Sequence, residues 1–284
     1  MRKFSIYLSV ILLALFISTS AFAIQWPTIW KGKFTNWEYF NPNAVPGQVS
    51  ADGIEDNWGI ARMTSIYDLT DPNQPQVWSD VAGDNNSLRI FFWGLDLAEW
   101  DNNTLDYKMH AADTGAYLEL YEWNEDWDVS IVDPANRTST EEFAGITNGG
   151  TLLARFEFTY GVVPGDNETI AAGRTNDTNN PPQGDGQAYL KVVPNVGTMW
   201  EIFDQDRNAV LAAMAADGIV PQDPDAIDPE ADIWLKFSFS PDSLTDFDLK
   251  SEDPVYGATP EPATLVLLGA GMLLVGSVVR KRTK

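Results

Sequence analysis

The residues of this chain that could do chemistry are mostly carboxylates. Asp204-Gln205-Asp206-Arg207-Asn208 places oxygen side chains at i, i+2 and i+4, the spacing with which calcium loops surround a hard cation. Ala209 stands where such a loop has its turn glycine, and Ala215 where it has its bidentate acid. Asp52, Glu55 and Asp56 make a second oxygen-rich cluster beside Gly53. Asp223, Asp225 and Asp228 make a third, without fixed spacing. Calcium is the cofactor these oxygens would suit. The alternative for each cluster is a solvated loop.

Paired carboxylates also hydrolyse glycosides, but with 41 acidic residues in the chain no single pair stands out. His110 is the one histidine, and no Gly-x-Ser-x-Gly accompanies it, so a Ser-His-Asp triad has little to build on. Histidine-based zinc catalysis lacks its second ligand. With no cysteine, disulfides, thiol catalysis and iron–sulfur ligation are excluded. Phosphate loops and dinucleotide fingerprints do not occur. The remaining candidate is aromatic. Tyr117, Tyr121 and Trp123 share one face of an alternating run, either as core or as a platform on which sugar rings stack.

These residues sit among short alternating segments. Leu88 to Leu95 is β-branched and aromatic and is the clearest strand,. Ile60 to Tyr67, Ala116 to Trp123, Leu152 to Tyr160, Gln187 to Val193 and Ile233 to Phe239 read the same way. Asp206 to Ala216 is a helix candidate, with Asp206 as its cap, Val210, Leu211 and Met214 on one face, and Gly218 as its stop,. The stretch Val163 to Gly186 reads as a long polar loop and Ser240 to Thr259 as a polar stalk,. Strands without βα alternation predict an all-β ectodomain over 24–239, a β-sandwich or jelly roll with one short helix.

Charge narrows the partners. Residues 24–259 hold 40 acidic and 12 basic side chains, 28 net negative charges. This charge disfavours nucleic acid as a partner, because phosphate contacts need clustered Lys and Arg. Such charge keeps an exported protein soluble and attracts cations.

Both termini are apolar. Met1-Arg2-Lys3, an apolar stretch centred on Val10–Ile17, and Ala21-Phe22-Ala23 describe a secretory signal peptide over 1–23, cleaved after Ala23,. At the other end Pro260-Glu261-Pro262 precedes an uncharged run from Thr264 to Val279, then Arg280, Lys281, Arg282 and Lys284. As a helix, 264–279 would span roughly 24 Å, short for a bilayer but extendable by snorkelling of the basic residues. Those residues act as a cytoplasmic stop.

Proline motif, single short membrane helix and basic terminus together resemble the PEP-CTERM sorting signal of Gram-negative bacteria. The resemblance spans residues 260–284. It implies recognition of Pro260, Glu261 and Pro262 by an exosortase, a membrane-embedded cysteine transpeptidase. It further implies transient anchoring, then release to the cell surface or outside, in organisms that make exopolysaccharide. A non-catalytic role in an exopolysaccharide or biofilm matrix is the function expected from it. A carbohydrate-binding module, assisted by calcium, and a two-carboxylate glycan hydrolase are the alternatives.

Overall fold

Residues that alternate between apolar and polar form strands with one face inward. The computed structural model describes residues 24, 26–40, 51–83, 85–101, 103–176 and 183–259. Its strands, in chain order, are β1 (Ile29–Phe40), β2 (Asn57–Asp68), β3 (Gln76–Ser79), β4 (Ser87–Trp100), β5 (Asp106–Ala111), β6 (Tyr117–Trp123), β7 (Arg137–Ser139), β8 (Glu142–Phe143), β9 (Thr151–Thr159), β10 (Ala171–Thr175) and β11 (Gly184–Val192). Helices α1 (Trp200–Phe203) and α2 (Arg207–Ala216) follow, then β12 (Ile233–Pro241) and β13 (Leu249–Ala258).

The sheet closes on itself. Strands β4, β6, β9, β11, β12, β13, β1 and β2 form an antiparallel ring, because β2 also pairs with β4. The fold is thus a closed eight-stranded barrel, not the sandwich or jelly roll that the strand pattern predicts. The two architectures share the same in-and-out alternation, and only the pairing of β2 with β4 separates them.

Two strands change neighbours along their length. Residues Ser87 to Trp93 of β4 pair with β6, whereas Leu95 to Trp100 pair with β5. Likewise β11 pairs with β9 over Tyr189 to Val192 and with β10 over Gly184 to Ala188. The β5–β10 pair therefore completes the wall where β6 and β9 end.

Apolar residues fill three regions. The lumen holds Trp30, Phe34, Met63, Phe92, Leu118, Leu190, Leu235 and Val255, among others. Outside the wall, Trp58, Phe91, Trp93 and Tyr121 are covered by Ile131, Val132, Phe143 and Ile146 of the segment after β6. On the other side Val210, Ala213 and Met214 of α2 cover Tyr189, Trp234 and Tyr256. This explains why Leu88 to Leu95 reads as an unbroken apolar run: both faces of β4 are buried,.

Several expectations need correction. Residues 249–258, read as part of a polar stalk, are β13, paired with β1 from Ile29↔Ala258 to Glu38↔Leu249. Pro254, a poor strand residue, falls where the β12–β13 ladder is interrupted between Leu235↔Val255 and Phe239↔Ser251. Within Val163 to Gly186 lie β10 and the start of β11. Helix α2 is capped by Asp206, whose carboxylate accepts from Ala209 N at 3.1 Å, and α1 adds a second helix. Among the described residues no helix is long and apolar enough to cross a membrane. The signal peptide with Ala21 and Ala23, the motif Pro260-Glu261-Pro262 and the apolar run 264–279 lie outside the described residues.

Candidate functional site

The lumen is apolar except for one built polar cluster. Even-numbered residues of β1 face inward, so Asn36 and Glu38 are carried inside and are buried. Asn36 Nδ2 donates to Glu38 Oε1 at 2.6 Å, and Asn57 Nδ2 donates to Glu38 Oε2 at 3.0 Å. The Ser251 hydroxyl donates to Asn36 Oδ1. Each carboxylate oxygen thus receives an amide, as a buried acid requires.

A cavity of about 80 Å³ adjoins this cluster, lined by Met63, Met109, Phe92, Leu118 and Leu235 and by Asn36, Glu38 and Asn57. Its far end is closed by aromatic edges. Trp26 and Trp30 lie 4.8 Å apart between ring centroids, and Phe203 of α1 stands 5.0 Å from Trp26. At the Glu38 end the lining residues Phe40, Trp100 and Phe237 are only partly buried. Four residues along this lining carry a buried polar atom with no hydrogen-bond partner: Nε1 of Trp26, Trp30 and Trp100, and Oδ1 of Asn57.

The aromatic row lies on the opposite, outer face. Tyr121 is buried, and its hydroxyl donates to Glu119 Oε2 at 2.5 Å. Tyr117 and Trp123 are half-buried, and Trp123 Nε1 donates to Ile146 O at 2.9 Å. Beside them a polar recess of about 510 Å³ opens between the wall and β7–β8, lined by Glu119, Tyr121, Glu141, Glu142, Asn148 and Arg155. Arg155 pairs with Glu119 at 2.7 Å across it.

The carboxylates singled out by spacing serve backbone and cation partners of this chain. Asp52 Oδ1 accepts from Ile54 N, and Glu55 binds Arg137 through both oxygens at 2.6 and 3.0 Å. Asp206 caps α2, Asn208 Nδ2 reaches Asp206 at 3.4 Å, and Asp204 is exposed. Among the described residues no group of three or more His, Asp or Glu has metal-binding geometry. His110 lies on β5 opposite Asp96 of β4.

Sequence spacing missed the pair Asp56–Asp96, which lie 40 positions apart and meet at the start of the β2–β4 pairing. Asp56 accepts from Leu97 N at 3.0 Å and Asp96 from Gly53 N at 2.9 Å. Burial pushes the Asp56 carboxyl up to about 6, opposed by the Leu97 N–H and helped by the charge of Asp96. Asp96 is raised as well, first by burial. Asp232, buried while accepting from Val192 N and Gln205 N, is pushed up to about 7.

Raised carboxyls bind a proton more tightly folded than unfolded. Their contribution to stability is present below the unfolded value near 3.8 and is lost as pH rises through 6 to 7,. The protein should therefore melt at higher temperature at pH 5 than at pH 7.5. Asp56→Asn can accept from Leu97 and donate to the unpartnered Asp96 Oδ1, as protonated Asp56 would. It should remove about 1 kcal/mol of the difference, discounted for partial exposure,. An unchanged pH profile of melting temperature in this variant would show that the pair does not share a proton.

The chain leaves the barrel at the Trp30 end. Thr259, the last described residue, donates its hydroxyl to Pro27 O at 2.8 Å and its amide to Thr28 O at 2.9 Å, which fixes it to the wall. Residues 258–282 match the PEP-CTERM protein-sorting motif. Neither a curated protein nor a solved structure matches the chain. The tail therefore carries a C-terminal sorting signal of exported Gram-negative proteins, the kind processed by exosortase, a membrane enzyme.

Proposed function

We propose that this is an exported, non-catalytic protein of the exopolysaccharide-bearing cell surface, held briefly at the membrane by 264–279 and cut near Pro260-Glu261-Pro262. The observation that carries this reading is the sorting motif beginning at Ala258, the last residue of the barrel's final strand. Only residues 260–263 separate Thr259 from the apolar run, so an anchored tail would hold the Trp30 end toward the membrane and the Glu38 end away from it. Polysaccharide is the partner that suits the outer recess, where Glu119, Tyr121, Asn148 and Arg155 offer donors and acceptors next to half-buried aromatic rings.

Mass spectrometry of the protein from its producing cells tests this. The C-terminus should end near Pro260 when exosortase is present and at Lys284 when it is absent, and the shortened form should co-sediment with the extracellular polysaccharide. An intact C-terminus in both strains would end the sorting reading. A shortened form that stays wholly in the polysaccharide-free supernatant would end the matrix reading alone.

A further inference from the structure

We infer that the barrel lumen is a binding site for a small neutral ring compound bearing a hydroxyl, such as a phenol. Size comes first. A dry cavity of ~150 Å³ accepts benzene, and the lumen has about 80 Å³ before any side chain moves. Met63 and Met109 line it, and unbranched thioethers reshape readily around a guest. The lumen is thus about half the size of a benzene cavity until Met63 and Met109 shift, so a single ring is the most it admits and a long acyl chain does not fit,.

Polarity comes next. Buried polar atoms without partners are rare and cost stability, yet the lining carries three indole N–H donors and the acceptor Asn57 Oδ1. Trp30 and Asn57 are both 1% exposed, so bulk water does not reach them. At the Glu38 end a hydroxyl can accept from the Trp100 indole N–H and donate to Asn57 Oδ1, while the ring occupies the apolar volume. Charge excludes the acids: an anion would meet Glu38 inside and a strongly acidic surface outside,. The partly buried rings of Phe40, Trp100 and Phe237 mark the Glu38 end as the entrance. That end is opposite the sorting tail, so the site stays accessible before and after processing.

The test compares p-cresol, toluene and p-toluate on the exported protein as recovered from cells, by calorimetry, melting temperature and tryptophan fluorescence. One p-cresol per chain should bind saturably and raise the melting temperature. Toluene should bind about 10-fold more weakly, lacking the hydroxyl that satisfies the buried atoms, and p-toluate should not bind. Ala61→Phe, which adds a ring to the lumen lining, should abolish binding. If that variant fails to fold, intermolecular NOEs from the p-cresol ring to lumen indole Nε1–H protons decide the location. The inference is overturned by three results. These are no saturable binding of either p-cresol or toluene, meaning a lumen of water alone; equal affinity for both; or NOEs only to Tyr117 and Trp123 on the outer wall.

Discussion

Gly94→Ala is expected to unfold the barrel. At Gly94, with φ of +82°, β4 exchanges β6 for β5. Its carbonyl accepts from Ala112 N at 2.9 Å, and its amide donates to Glu55 Oε2 at 2.6 Å. A Cβ here would stand 1.9 Å from Gly115 O and 2.9 Å from Ala116 Cα. Both are backbone atoms of the turn that leads into β6, so neither can rotate away. The left-handed conformation alone costs an alanine about 1–2 kcal/mol. Displacing the turn adds loss of the β4–β5 and β4–β6 junction, and the sum should exceed ~4 kcal/mol. Gly218→Ala is the control. Gly218 has φ of +75° but nothing within 4 Å of the added atom, so only the conformational cost of about 1–2 kcal/mol applies. Urea unfolding of the two variants separates the cases. Equal midpoints would show that the exchange of neighbours at Gly94 has no structural role.

Arg89→Leu should have the second largest effect, without emptying the lumen. Arg89 is 2% exposed and projects from the outer face of β4. Its guanidinium donates to Gly145 O at 2.6 Å and to Asp126 O at 2.8 Å, while Nε donates to Ser87 Oγ at 3.1 Å. It also lies 4.2 Å from the Trp123 ring centroid. One side chain thereby ties both ends of the 126–145 excursion to the wall. Burial lowers its basicity from the ordinary arginine value, the mark of a charge held only by its partners. Removing it leaves two carbonyls unpaired and uncovers Trp123, a loss of about 3–5 kcal/mol. Arg89→Lys should recover little, since an ammonium cannot span three acceptors in a plane. Limited proteolysis should first cut Arg89→Leu between Trp127 and Asn148. First cleavage elsewhere would show that this excursion is held by other contacts.

The two sites differ in how far they could be read in advance. Tyr117, Glu119, Tyr121 and Trp123 do share a face, as period two requires,. Which face is covered depends on Phe143 and Ile146, some 20 residues on, and those belong to no periodic run. Asp52, Glu55 and Asp56 are legible in the chain as a carboxylate cluster, but their partners are not. The partner of Glu55 is Arg137, on the β7–β8 hairpin outside the wall, and that of Asp56 is Asp96, beside the β2–β4 pairing that closes the barrel, so both pairs depend on residues distant in the chain. Glu38 is the plainest case. In the chain it is one acid of many; in the barrel it is carried inside by the alternation of β1, and Asn57 of β2 arrives from the facing strand.

By itself the sequence determined the all-β class, the Asp206 cap on α2 and the sorting signal read at 260–284 and matched over 258–282. All three rest on contiguous residues, whose local conformation or recognition requires nothing distant. Only the tertiary structure decided that the sheet closes through β2 and β4, that 249–258 is wall rather than stalk, and that a lumen exists with unpartnered indole and amide atoms. Alternation states that a strand has two faces. Closure depends on which strands pair and in what register, a property shared between residues far apart in the chain.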